Sequence, residues 1–129
     1  MNATDPLKPY QLTFEVRGTY LYAYVFGEQD SFEISAAYWR EIGDKLGELG
    51  INKVLIVEDL AGASPLADVY NVSAQIVDMG FRGKVVAFVD RHSDHQELNE
   101  FGELVGTNRG LIGRTFLDEA EAERWLLMQ

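Results

Sequence analysis

Three carboxylates stand where apolar runs give out. "KVLIVEDL" delivers Glu58 and Asp59, and "KVVAFVD" delivers Asp90. If both runs are parallel strands, these acids lie at carboxyl ends, where open α/β sheets place their ligand crevice. The chemistry they suggest is cation binding, which for a hard ion needs several converging oxygens. The competing reading is that they solvate loop ends and accept helix N–H groups. Just beyond, "DRHSDH" adds His92, Asp94 and His95, all metal-ligand types. With Ser93 capping a helix, His92 falls outside it, and the group reads as solvated loop residues. No metal and no cofactor is expected.

Two further features could do work. Ser64 precedes Pro65, a strong helix-start signal. A phosphate on Ser64 would meet free N–H groups and the positive end of a helix dipole, so Ser64 is a candidate phosphoacceptor as well as a plain N-cap. Tyr20, Tyr22, Tyr24 and Phe26 alternate along one face of a run. Tyrosine suits both ligand pockets and interfaces, although packing beneath a helix with the hydroxyls at the rim is the simpler explanation of the stripe. Tyr38, Trp39 and Tyr70 are candidates to line the same surface. A Gly-x-Ser-x-Gly elbow, a phosphate-binding glycine loop and an HExxH helix are all missing, and there is no cysteine nucleophile. A non-enzymatic protein is expected.

The elements that must carry these residues follow from periodicity. "YQLTFEVRGTYLYAYVFG" alternates, turns at Arg17, Gly18 and Thr19, and resumes as a run apolar on both faces, which predicts a hairpin whose second strand is interior. Trp39, Ile42, Leu46 and Leu49 recur at helical spacing, with Ser35 as the expected N-cap and Gly50 as the stop. After the strand "KVLIV", Leu66, Val69, Tyr70, Ser73, Ile76 and Val77 predict a helix ending at Gly80. After the strand "KVVAFVD", Ser93 and Gln96 fit a capping box for a helix burying Leu98, Phe101 and Val105 and closing at Gly106 or Gly110. "LIGRTF" is the last strand. Asp118 should cap a final helix that buries Ala122, Trp125, Leu126 and Met128. The predicted order is ββαβαβαβα: an α/β domain with a mixed five-strand sheet and four helices.

At 129 residues the chain fits one domain, 1–129, with residues 1–9 as an N-terminal arm. A net charge of −10 without a basic stripe argues against nucleic acid. The lack of cysteine fits a reducing compartment. No apolar run reaches the roughly 20 residues that span a bilayer, so a cytoplasmic protein without stable membrane insertion is expected.

A strand that ends in two acids also invites comparison with phosphoreceiver domains, whose first strand carries the acids that hold Mg²⁺. Length decides against it. Beyond Asp59 only residues 60–129 remain for four more βα units, and each βαβ unit needs about 30 residues. The last lysine is Lys84, so none can serve a final strand.

Over residues 10–128 the chain instead resembles the SpoIIAA-like branch of the STAS (sulfate transporter and anti-sigma factor antagonist) superfamily. The resemblance is carried by "VRGTYLYAYVFG", "ISAAYWREI", "KVLIVEDLAG" and "NRGLIGRTFLDEAEAERWL". It implies a domain that binds rather than catalyses. In the anti-sigma antagonist branch a serine in an Asp-Ser-Ser/Thr-Gly motif is the phosphorylated switch; here the stretch reads "EDLAGASPLADVY", with Ser64 the nearest hydroxyl. The first expectation is a regulatory module binding a protein partner through Asp59 to Tyr70. The rival is a small apolar-ligand or lipid-binding domain with an aromatic-lined pocket drawing on Tyr22, Tyr24 and Tyr38. A homodimer through an uncovered face is compatible with either.

Overall fold

The computed structural model describes residues 8–129; of the expected arm, residues 1–7 lie outside the described residues. Strands β1 (Gln11–Arg17) and β2 (Tyr20–Gly27) pair antiparallel from Arg17 opposite Tyr20 to Gln11 opposite Phe26. Strands β3 (Lys53–Leu60), β4 (Val85–Asp90) and β5 (Ile112–Phe116) then add in parallel, so the sheet runs β1-β2-β3-β4-β5. Helices α1 (Phe32–Leu49), α2 (Leu66–Ser73), α3 (Gln96–Asn108) and α4 (Glu119–Leu127) complete the predicted ββαβαβαβα order. β2 is interior, as its two apolar faces require.

Strand alternation divides the core into two layers. Leu21, Ala23, Val25, Val54, Ile56 and Val86 pack with α1 residues Ile42 and Leu46 and with Val72 and Ile76. Tyr20, Leu55, Val57, Ala87 and Val89 face the other way and meet Ala122 and Leu126 of α4. One short helix closes that layer. Its fully buried Leu126 contributes about 1.5–3 kcal/mol by burial alone.

Helix α1 begins earlier than the spacing predicts. Ser31, in extended conformation, accepts from the Ile34 N–H at 3.1 Å, and Ser35 sits inside the first turn, donating its hydroxyl to Asp30 Oδ1 at 2.7 Å. The two serines are four apart, and the earlier one wins because Phe32 and Ile34 already pack. Gly50 ends α1 in the left-handed region, φ 66°. Gly43 allows close approach: a Cβ there would fall 2.0 Å from the Met79 carbonyl oxygen.

The second expected helix breaks in two. α2 stops at Ser73 and a 3₁₀ turn covers Ile76–Met79 before Gly80. Val72, Ser73, Ile76 and Val77 are buried, whereas Leu66 and Tyr70, placed on the inner stripe by a continuous helix, are exposed. Ser64 is not the cap, since Pro65 holds that position without a side-chain bond. The Ser93–Gln96 box is likewise replaced by a 3₁₀ turn over Ser93–His95. Leu98, Phe101 and Val105 are only half-buried. Asp118 does cap α4, accepting from the Glu121 N–H at 2.8 Å, but Met128 is 81% exposed rather than buried. No helix among the described residues is long and apolar enough to cross a membrane.

Candidate functional site

Glu58 and Asp59 lie within β3, so their side chains leave opposite faces of the sheet. Asp59 shares a face with Tyr22 and Tyr24. Its Oδ2 accepts from the Tyr24 hydroxyl at 2.5 Å, and its Oδ1 lies 2.8 Å from His92 Nε2. The Tyr24 bond, followed by the His92 and Arg91 contacts, holds the Asp59 carboxyl below its ordinary pKa, while Tyr24 is pushed up to about 12. Nearby, Tyr22 donates to Glu119, which also pairs with Arg91 at 2.7 Å. These groups satisfy one another.

The other face is different. Glu58 follows Val54 and Ile56 in the alternation and is only 6% exposed. It is not a solvated loop acid. The Tyr38 hydroxyl, itself buried, donates to Glu58 Oε2 in a short hydrogen bond. Burial, reinforced by the Asp30 and Asp90 carboxylates, pushes the Glu58 pKa well above the carboxylate range. Asp30, in the β2–α1 loop, is also raised by burial, partly offset by bonds from Ser35 and the Ser31 N–H. Asp90 Oδ1 accepts from the His92 N–H at 2.8 Å, while Oδ2 accepts from Asn99 Nδ2 at 2.9 Å and lies 3.2 Å from His95 Nδ1. His95 is 5% exposed, not the solvated loop residue expected. Glu58, Asp90 and His95 bring ligand atoms within 4.8 Å of one another, a spacing that could hold a metal ion.

Of these groups Glu58, Asp30, Tyr38 and Asn99 form the polar end of a cavity of about 100 Å³ between the sheet, α1, α2 and α3, which Asp90 and His95 do not line. Ser64 enters from the loop before α2. Its hydroxyl is, among the described residues, the buried side-chain polar atom with no hydrogen-bond partner. It lies close enough to Asp30 to help lower that carboxyl, but outside hydrogen-bond geometry. Trp39, Val72, Val86, Phe88 and Leu111 supply the apolar wall, with Trp39 and Phe88 stacked at 5.9 Å. α2 and α3 roof the cavity, meeting closely at Gly102, where a Cβ would lie 3.0 Å from Ser73 Oγ.

The expected site residues are therefore divided. Tyr38 and Ser64 line the cavity; Asp59, Tyr22 and Tyr24 lie together on the opposite face; Tyr70 stands exposed on α2, accepting from Arg109 at 2.9 Å. Tyr38 and Trp39 do not share a surface with the tyrosine stripe. Asp30 and Asn99 carry no pattern in the sequence that marks them. Glu58 was legible as buried from its parity with Ile56, and the step of five from Asp90 to His95 gave no signal because the intervening turn is 3₁₀.

No protein-family model matches the chain, and no curated protein does. Among solved structures, an uncharacterized protein from the DUF3478 family of Shewanella loihica PV-4, described as having a SpoIIAA-like fold, matches with a TM-score of 0.54 and 17% identity. The match covers 96% of this chain and 98% of that one. With its five-strand mixed sheet and four helices in the order ββαβαβαβα, this chain has the SpoIIAA-like fold.

Proposed function

We propose that the protein is a non-enzymatic binding domain that takes a small amphipathic molecule into the cavity between the sheet and α2–α3. The observation that carries this reading is the cavity itself: a wall of Trp39, Val72, Phe88 and Leu111 that ends in a few convergent polar groups, the usual make-up of a small-ligand site. An apolar cavity of about 150 Å³ takes benzene, so about 100 Å³ open on one side suits a ligand of roughly four or five non-hydrogen atoms. Titration of isotope-labelled protein with isobutanol tests it. Amide shifts should concentrate at Val72, Phe88 and Leu111 and vanish in Val69→Phe, which fills the cavity from α2. Shifts confined to the outer face of α2, or none, would sink the proposal.

A second reading, regulation through a protein partner, is favoured by Leu66 and Tyr70. Both are exposed large side chains on α2, at 56% and 37%, within the Asp59 to Tyr70 segment. Ser64 as a switch sits awkwardly with its burial at 8%, since a kinase would first have to lift the start of α2. Pull-down with Leu66→Asp as control tests this reading: a partner retained equally by the variant removes it.

A further inference from the structure

We propose that the polar end of the cavity recognises a cationic amine, with the ammonium group held by Glu58, Asp30 and Ser64 and a short apolar body lying against Trp39 and Phe88. The inference rests on the cavity being a ligand site and adds what its ligand must carry.

Two carboxyl groups, Asp30 of the β2–α1 loop and Glu58 of β3, line one small volume, with the Asp90 charge of β4 acting on Glu58; Arg114 of β5 also lines the cavity, but its guanidinium lies over the Phe116 ring. Among the described residues no lysine or arginine forms an ion pair with Asp30, Glu58 or Asp90; only His95 stands beside Asp90, at 3.2 Å. Burying carboxylates without a counter-charge is costly, so a cation entering here gains what the fold leaves uncompensated. The Ser64 hydroxyl is a second, independent sign. It is buried, lines the cavity and has no partner, and a native buried hydroxyl left in that state calls for an occupant.

The donor and acceptor inventory selects the kind of cation. An ammonium group offers only N–H donors, whereas carboxylates and a serine hydroxyl can all accept. An anionic head would meet Asp30 and Glu58, and a neutral alcohol, unlike a cation, would do nothing to stabilise their ionised forms. The Trp39 and Phe88 rings, stacked on each other, give an alkyl body apolar cover. A divalent metal fits less well. Both Asp90 oxygens already accept, from the His92 N–H at 2.8 Å and from Asn99 at 2.9 Å, and His95 Nδ1 is turned to Asp90. A metal on Glu58, Asp90 and His95 would have to break those contacts, while an ammonium at Glu58, Asp30 and Ser64 leaves Asp90 held as it is.

The test compares isobutylamine with isobutanol, matched in shape and differing in charge, by amide-shift titration of the whole chain near neutral pH. The amine should bind at least about tenfold more tightly, a difference of roughly 1.4 kcal/mol. Glu58→Gln should erase that preference while leaving the isobutanol affinity within about twofold, by the same arithmetic. Ser64→Ala should weaken the amine by a smaller factor, and a dispersed spectrum checks that each variant folds. Equal binding of the two probes, or a preference that survives Glu58→Gln, overturns the inference but leaves the cavity reading standing. Failure of both probes to bind overturns both. Manganese chloride alone broadening the Glu58, Asp90 and His95 amides and blocking the amine would replace the ammonium with a metal.

Discussion

Glu58 and Asp59 are adjacent residues of one strand with opposite fates. Asp59 emerges on the α4 side among Tyr24, His92 and Arg91, finds donors at once, and is held below its ordinary pKa. Glu58 emerges under three helices beside two other acids, and burial raises it. The difference is not in residue type. It lies in what the two faces put opposite an acid: donors that include two bases on one, a single tyrosine hydroxyl, two more acids and a hollow on the other. A carboxylate answered locally by bases is structure, and one left without a cation beside a cavity is capacity for a ligand.

The largest contrast to break is packing. Leu126→Ala, in the filled layer beneath α4, should cost about 2–5 kcal/mol, and Leu98→Ala, at the half-buried rim of the cavity, well under half of that. Denaturant unfolding checks the ratio, and equal losses would mean that the hollow layer is as tightly packed as the other.

Next in size is the pH response of Glu58. Its folded pKa is raised, so its contribution to stability is fully present below the unfolded value and is lost as pH rises through the folded one. Glu58→Gln mimics the protonated acid and keeps an acceptor for Tyr38. It should match the native protein in thermal stability near pH 4 and exceed it near pH 8 by about 1–2 kcal/mol. Asp59 has the reverse sign. With its folded pKa depressed, its stabilisation is present above the ordinary carboxylate value and lost as pH falls through the folded one. Asp59→Asn should therefore destabilise at neutral pH, by no more than about 1 kcal/mol because the group is a third exposed, and the gap should close in acid. Melting curves in which both variants shift the same way at pH 8 would erase the distinction between the faces.

The smallest effect is expected at Ser64. Removing a hydroxyl that has no partner should be neutral or stabilising by up to about 1 kcal/mol, whereas removing a working N-cap costs about that much. Differential scanning calorimetry of Ser64→Ala separates the two by sign.

The layout was legible where local patterns and global packing agree. The hairpin, the interior β2, the parallel strands and the Asp118 cap follow from alternation, turn residues and capping rules. The misreadings cluster where 3₁₀ turns intervene. Over Ile76–Met79 and Ser93–His95 the chain advances more per residue than an α-helix. Continuous helical spacing therefore put Leu66 and Tyr70 inside and a capping box at Ser93. The candidate site was half legible. Ser64, Tyr38 and the strand-end acids drew notice as types, but which acid turned inward depended on one step of strand parity. Asp30 depended on α1 starting at Phe32, a start set by Ser31 rather than Ser35.

Ligand binding in this protein depends on the open space beside Glu58. Crystals pressurised with xenon test it most directly, because xenon enters apolar cavities without needing a polar partner. Anomalous signal among Trp39, Val72 and Phe88, absent in Val69→Phe crystals, is the result this account predicts. A native crystal whose side chains close that space, with no xenon bound there, would contradict it.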